Sequence, residues 1–331
     1  MPKGLRDGEI ITANSAGFAE YGFLKNFNID MSLNNHKKVL ITGEGSYIGE
    51  SFKVYAKEHY PKNFTIDIVS TLNDDWKTKD FGNYDCVYHV AGIAHADVGN
   101  VDQATIDKYY SVNTDLAIEV AKLCKNADVK QYIFMSSAII YGDSAPYGIE
   151  RRINSDTLPA PTNFYGDSKW QADKGVRLLD DGKFKVAVLR PPMIYGKGSK
   201  GNYKTLSKMA KRFPFFPKAD NSRSMLHIDN LCEFLCKLIL SGENGIYFPQ
   251  NAEYIRTSDM VRDIRRVSGK RTITLRCLNF AVFLASKIPG KVGILCNKAF
   301  GNLTYESKIS SYSGMDYIVC NYEDSILKTE K

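Results

Sequence analysis

At 331 residues, with 44% apolar and 24% charged side chains, the chain carries enough apolar mass for a full globular core. That balance excludes an intrinsically disordered chain and a polytopic membrane protein. The formal charge of +7 reads as spread along the sequence, without a block of Lys/Arg interleaved with aromatics, so it points to an anionic small ligand and not to nucleic acid.

Residues 1–36 read as an N-terminal extension in which charges recur every few positions and no apolar run of signal-peptide length occurs. A strand signal opens at Lys38–Thr42, and short β-branched runs follow at Thr65–Ser70, Cys86–Val90, Gln131–Ser136 and Lys185–Leu189. Between them lie longer stretches with helical spacing, Tyr47–Glu58, Asp102–Asn126 and Phe164–Leu179. Strands alternating with helices of this length require right-handed crossovers, hence an α/β fold with a doubly wound parallel sheet covered on both faces. The unbroken run Val87-Tyr-His-Val90 fits a strand buried on both sides. Residues 37–191 are expected to hold that sheet. Beyond them the alternation loosens, and 192–331 are expected to form a smaller mixed α/β substrate lobe, with some strands returning to the sheet.

The seven cysteines are odd in number and lack paired close spacings, so they predict neither a disulfide framework nor a zinc site. Cys232 and Cys236 share one face of an apolar helix and are expected in the core. Reduced thiols fit a cytoplasmic setting. Two apolar clusters, Phe280–Ala285 and Val292–Cys296, are split by Lys287, Pro289, Gly290 and Lys291, and neither is long enough to cross a bilayer. A buried or dimer-facing helix is the expectation for them, and a helix resting on a membrane or a partner is the alternative.

Thr42-Gly-Glu-Gly-Ser-Tyr-Ile-Gly49 follows the first strand directly and opens a helix. Glycines in such a turn let the backbone approach a pyrophosphate, which then sits at the positive end of the helix. Gly43, Gly45, Ser46, Tyr47, Ile48 and Gly49 are therefore candidates for binding a dinucleotide, and 37–191 for a dinucleotide-binding domain. The acidic residue that grips an adenosine ribose is missing: the second strand ends at Val69-Ser-Thr71, with Asp67 inside it and Asp74 and Asp75 beyond. No arginine marks a 2′-phosphate site, so both NAD and NADP stay open.

Tyr165-Gly-Asp-Ser-Lys169 places a phenol and an ammonium on one helix face. A tyrosine at its ordinary pKa of about 10 is a poor base at neutral pH, and a neighbouring cation favours the phenolate. The extended Pro159-Ala-Pro-Thr-Asn stretch before it sets Tyr165 in the first helical turn, where the dipole acts in the same sense. Spacing alone is weak, but the run Phe134-Met-Ser-Ser-Ala-Ile-Ile-Tyr-Gly142 brings hydroxyls to the carboxyl edge of the sheet, where α/β folds bind ligands. Ser137 is placed to share the reacting oxygen with Tyr165. His89, His95 and His227 are expected to be packing, loop or structural residues, and Trp76 and Trp170 carry no assignable role.

Taken together these residues resemble the extended short-chain dehydrogenase/reductase family, in its NAD-dependent epimerase/dehydratase group, and most closely the nucleotide-sugar epimerases. The resemblance runs from about Lys38 to Asn230 and rests on Thr42–Gly49, His89–Gly92, Tyr110–Asn113, Ser136–Gly142, Tyr165–Lys169, Leu189–Gly196 and Arg223–Asp229. It implies a Rossmann fold, an NAD cofactor (NADP not excluded), a nucleotide-diphosphate sugar as substrate and a homodimer. By the same resemblance Gly43, Ser46 and Gly49 line the pyrophosphate, while Ala91 and Gly92 let the cofactor pass. Asn113 braces the helix beside the site, and Pro191 lines the cofactor. Tyr165 moves the proton, Lys169 holds the nicotinamide ribose and lowers the tyrosine pKa, and Ser137 and Ala138 meet the sugar. Asn202 and Arg223 meet the diphosphate.

Four departures sharpen the expectation. Ser46 replaces the family's middle glycine, the Arg-x-Gly-Asp element of epimerases is not evident, and the ribose-binding acid is missing. Where the family's 4,6-dehydratases carry an Asp-Glu pair, this chain has Ala138 and Ile139, which have no acid–base capacity, so water elimination is disfavoured. The activity implied is a UDP-hexose 4-epimerase working by transient hydride transfer through a 4-keto sugar. A nucleotide 4-keto-sugar reductase with the same residues is the alternative, followed by a non-catalytic dinucleotide-binding protein.

Overall fold

The computed structural model describes residues 21–30, 35–94 and 101–331. The chain enters a sheet at β1 (Lys37–Thr42) and passes through α1 (Tyr47–His59) to β2 (Phe64–Val69) and then β3 (Cys86–His89). Next come α2 (Gln103–Tyr110), a π-helical turn (Ser111–Asp115) and α3 (Leu116–Asn126), leading to β4 (Gln131–Met135). A 3₁₀ turn (Ala138–Tyr141), the short β5 (Arg152–Ile153) and α4 (Phe164–Arg177) precede β6 (Lys185–Leu189). The remainder runs β7 (Met193–Tyr195), α5 (Asn202–Arg212), β8 (Phe215–Pro217), β9 (Met225–His227), α6 (Ile228–Ser241) and β10 (Gly245–Tyr247). After these come α7 (Thr257–Val267), β11 (Ile273–Leu275), α8 (Leu278–Lys287), α9 (Lys291–Phe300), β12 (Thr304–Tyr305) and α10 (Tyr322–Glu330).

Six strands form one parallel sheet in the order β10-β6-β4-β3-β1-β2, a Rossmann-like doubly wound arrangement. The chain moves outward from β1 to β2 and then returns across β1 to β3. The strand order reverses there, so a crevice opens at the carboxyl ends of β1 and β3, the place where such sheets bind ligands. Alternation within β1 explains the two core layers: Val39 and Ile41 pack with Phe52 of α1 and Leu231 and Leu235 of α6, whereas Leu40 packs with Val120 of α3 and Ala172 and Val176 of α4. A third apolar cluster unites Tyr195, Tyr203, Met225, Met260, Ile264 and Ile326 from the C-terminal elements.

Three differences from the expected pattern matter. The single helix over Asp102–Asn126 is broken by the π turn at Ser111–Asp115, which buries the polar Asn113 and Thr114. The apolar clusters at Phe280–Ala285 and Val292–Cys296 fall on α8 and α9, and most of their side chains are exposed, not buried. Finally, the chain's charge is uneven: residues 264–305 hold eight Lys/Arg and no Asp or Glu. Cys232 and Cys236 are buried in α6 as the apolar pattern required. Within the described part of the N-terminal extension, Tyr21 bridges to Ile246 of β10, and Phe27 is buried beside Tyr247 and Tyr312. These contacts cover an edge strand that would otherwise be open to pairing.

Candidate active site

The glycine loop sits where β1 leaves the sheet. Gly43 has φ +119, and a Cβ there would lie 2.7 Å from the Ala91 backbone nitrogen, so the β1 and β3 termini close on each other only with glycine at 43. The loop is fastened to β2 through Gly43 N–H, which donates to Val69 O at 2.9 Å. Ser46, the departure from the triple-glycine pattern, is the N-cap of α1, its Oγ accepting from Gly49 N–H at 3.4 Å. Tyr47 turns its hydroxyl toward Gly196, away from the loop, and Ile48 packs into the core. Within β2, two residues before its end, Asp67 accepts a hydrogen bond from the Tyr84 hydroxyl at 2.7 Å.

Across the crevice, Lys169 is buried on α4. Its Nζ donates to Met135 O at 3.1 Å and lies 5.1 Å from the centre of the Phe134 ring. Gly92 leaves the space beside it: a Cβ there would meet Asn113 Oδ1 at 2.9 Å and Lys169 Nζ at 3.1 Å. Asn113, projected by the π turn, accepts from Ile93 N–H at 2.8 Å and donates to Ile93 O at 3.1 Å and Ser168 Oγ at 3.2 Å. It therefore ties the segment after β3 to α4. Thr114 adds a second tie, donating to Ser168 O at 2.7 Å.

Tyr165 lies in the first turn of α4, which Asn163 caps by accepting from Gly166 N–H at 2.9 Å. Ser137, the residue before the 3₁₀ turn after β4, forms a side-chain hydrogen bond to it. Burial pushes the Tyr165 phenol up to about 12, the neighbouring Tyr109 adds to that, and the Ser137 bond draws it back only in part. Burial also lowers Lys169 to about 8. The expected lowering of the tyrosine by the lysine is thus not found, because the ammonium is directed at the β4 carbonyl and desolvation dominates. Ala138 and Pro191 meet through the backbone, Ala138 N–H donating to Pro191 O at 2.9 Å.

These contacts unite Gly43, Ala91, Gly92, Asn113, Ser137, Ala138, Tyr165, Lys169 and Pro191 around one crevice. Asn202 and Arg223 bond none of them. Asn202 is exposed at the start of α5. Arg223 is buried and donates to Lys298 O at 2.9 Å and Gly301 O at 3.1 Å, the last carbonyls of α9. Burial without a carboxylate partner lowers its pKa to about 10, leaving a cation suited to an anion.

Beneath the site lies an ionic core that spacing did not reveal. Asp173 takes a bidentate contact from Arg190 (2.8 and 2.9 Å), one from Arg177 at 2.9 Å and one from Ser136 Oγ at 2.9 Å. Burial alone would raise its pKa, but the Arg190 and Arg177 cations hold it below the ordinary carboxylate value. The two serines at the end of β4 are thereby sorted, Ser136 down to Asp173 and Ser137 up to Tyr165. Trp170 lies against Arg177 and Arg190. The available signal was Asp173 itself, an acid one turn after Lys169 on a helix face that otherwise enters the core.

The histidines are structural in their contacts. His89 is buried, bonded through Nδ1 to Thr42 Oγ1 at 2.7 Å and lowered to about 3 by burial and then by Lys169. His227 caps α6 by accepting from Asp229 N–H at 3.3 Å. Asp229 and Cys320 lie close to it, and the cation beside this group is Lys328, 2.7 Å from Asp229. His95 lies outside the described residues.

Residues 39–248 match the NAD dependent epimerase/dehydratase family. The chain belongs to this family. It is 26% identical over 293 residues to a UDP-glucose 4-epimerase of Vibrio cholerae, an alignment covering 82% of this chain and 84% of that one. The fold is similar to that of the UDP-glucuronic acid 4-epimerase of Bacillus cereus in complex with NAD, with a TM-score of 0.65, 15% identity, and 88% and 95% of the two chains covered. It is also similar to the dTDP-4-dehydrorhamnose reductase of Bacillus anthracis in complex with NADP, with a TM-score of 0.58, 21% identity, and 72% and 83% covered. The chain is an enzyme of the NAD(P)-dependent nucleotide-sugar epimerase, dehydratase and reductase group. The cradle left by Gly43 and Gly92 and the buried Lys169 ammonium fit that cofactor. Among the described residues no helix is long and apolar enough to cross a membrane.

Proposed function

We propose that the chain is a UDP-hexose 4-epimerase. The observation that carries this reading is the Ser137–Tyr165 pair, bonded to each other beside Lys169 and next to the uncharged Ala138 and Ile139. Gly43, Ser46 and Gly49 would hold the pyrophosphate, and Lys169 and Asn113 would border the nicotinamide ribose. The cofactor supplies reversible hydride acceptance and, when oxidised, a positive charge that favours a phenolate nearby. Tyr165 takes the C4 hydroxyl proton and returns it to the C4 oxygen of the 4-keto sugar after the sugar turns over. Ser137 holds that oxygen in line with the phenol. No carboxylate stands at 138 or 139 to draw off a proton and expel water, so the sugar is oxidised and reduced without losing a hydroxyl. Arg223 and Asn202 would meet the diphosphate. The reading carries with it a homodimer in the cytoplasm.

A second reading, a 4-keto-sugar reductase using NAD(P)H, is favoured by the Tyr165 pKa of about 12, which keeps the phenol protonated and ready to donate to a ketone. The discriminating experiment incubates purified protein with UDP-glucose and no added cofactor. Appearance of UDP-galactose supports the epimerase. Turnover only with a 4-keto sugar and stoichiometric NADPH replaces it with the reductase.

A further inference from the structure

The helices α8 and α9 form a hairpin whose inner side is fastened and whose outer side is bare. Inward, Cys296 Sγ contacts Val282 O at 3.4 Å and Asn297 Nδ2 donates to Ser286 O at 3.3 Å, so the two helices hold each other. Asn279 Nδ2 donates to Lys218 O at 2.8 Å, Thr257 Oγ1 to Ala299 O at 2.6 Å, and Arg223 grips the end of α9. Of α8 only Val282 and Ser286 are buried, a single narrow stripe. A helix so apolar is ordinarily enclosed on all sides. Here Phe280, Phe283 and Leu284 of α8 and Val292, Ile294 and Leu295 of α9 are exposed, Phe280 at 67% and Leu295 at 65%. Phe215 and Ile273, on the two-stranded sheet beside α8, extend the apolar face. Exposed apolar side chains gathered on neighbouring elements in this way mark an interaction surface.

Its charge identifies the occupant. Residues 264–305 contain no acid and eight Lys/Arg, a formal +8 against +7 for the whole chain. Lys270, Arg271, Arg276 and Lys287 are all exposed around the apolar side chains. Bulky apolar residues ringed by cations are the composition of an element that lies in the headgroup region of an anionic bilayer. A second copy of the chain placed symmetrically on this face would oppose one cationic surface with another.

We propose that the α8–α9 hairpin docks the enzyme on the surface of an anionic phospholipid bilayer, without spanning it. The fastened end of the hairpin touches the loop after β4. Asn297 accepts from Tyr147 N–H at 3.3 Å, and a Cβ at Gly301 would strike Ala145 O, so the end of α9 rests on the loop that follows Ser137–Tyr141. Arg223, the buried cation proposed to meet the diphosphate, holds the carbonyls at the end of α9.

The test is sedimentation of the full chain with phosphatidylglycerol-containing vesicles and with vesicles of phosphatidylcholine alone. A parallel arm uses the double variant Phe280→Glu/Leu295→Glu, with cofactor binding as the check that it is folded and analytical ultracentrifugation as the check on mass. The expected result is binding to the anionic vesicles that weakens with salt, little binding to neutral ones, and loss of binding to the vesicle-free level in the folded double variant. Protein that stays in the supernatant with both vesicle types at low salt overturns the proposal, as does vesicle binding that the double variant retains. If the parent ignores vesicles and the double variant halves its mass, the face belongs to a second copy.

Discussion

Around Asp173 the charges are buried and paired, whereas on α8 and α9 large apolar side chains stand in solvent, with the Lys287 ammonium over the Phe283 ring. The first arrangement lies between α4 and β6, a strand with neighbours on both sides, and joins Asp173 to Arg190 and to Ser136 at the end of β4. The second lies on a hairpin that touches the rest of the molecule through one stripe and a few carbonyl contacts. Buried polarity and exposed apolarity both depart from the usual distribution, but they do different work. The former ties the ends of β4 and β6 to α4, the helix that carries Tyr165 and Lys169, and the latter leaves apolar side chains in solvent.

Substitutions should separate the two regions by magnitude. Asp173→Asn removes the carboxylate that Arg190 holds through two buried contacts. It should destabilise the fold by about 3–5 kcal/mol, read from the midpoint of urea denaturation. A smaller effect concerns acid. His89 has its pKa lowered to about 3, so the folded state holds it neutral while the unfolded state protonates it near its ordinary value. Its contribution is complete above about pH 6.5 and is lost as pH falls toward 3, with a slope of about 1.4 kcal/mol per pH unit. His89→Gln, which can still bond Thr42, should flatten that slope in denaturation curves taken from pH 7 down to about pH 4. His227, lowered to about 4, and Asp173, held below the ordinary carboxylate value, contribute to the slope that remains. Least affected should be the hairpin: Phe280→Ser trims a side chain that is 67% exposed and should change stability by less than about 0.5 kcal/mol. A loss comparable to that of Asp173→Asn would show that the hairpin face is enclosed in the free protein.

The same contrast governs what could be read before the structure. The sheet strands and the helices between them announce themselves by period, and Lys185–Leu189 falls where its pattern puts it. The glycine loop and Tyr165–Lys169 were legible because a tight turn and a helix repeat fix their geometry locally. The π turn at Ser111–Asp115 was not, since it answers a demand from across the crevice, where Asn113 must reach Ile93 and Ser168 at once. Nor was the direction of the Tyr165 shift, because spacing conveys the presence of Lys169 but not the burial that outweighs it. β10 joins the sheet beside β6 from far along the chain, with a run of only three residues, too short to carry a period. In α8 and α9 the apolar content was plain, but whether anything covers it depends on tertiary neighbours.

Proton transfer at the reacting carbon is proposed for Tyr165, with the residues around it holding the cofactor. It is tested most directly by Tyr165→Phe, assayed on one preparation for turnover and for cofactor binding. Loss of the phenolic oxygen should lower turnover by roughly 10²–10⁴-fold, the range for a positioned acid–base group, and leave cofactor affinity unchanged. Turnover equal to that of the parent enzyme would contradict the assignment.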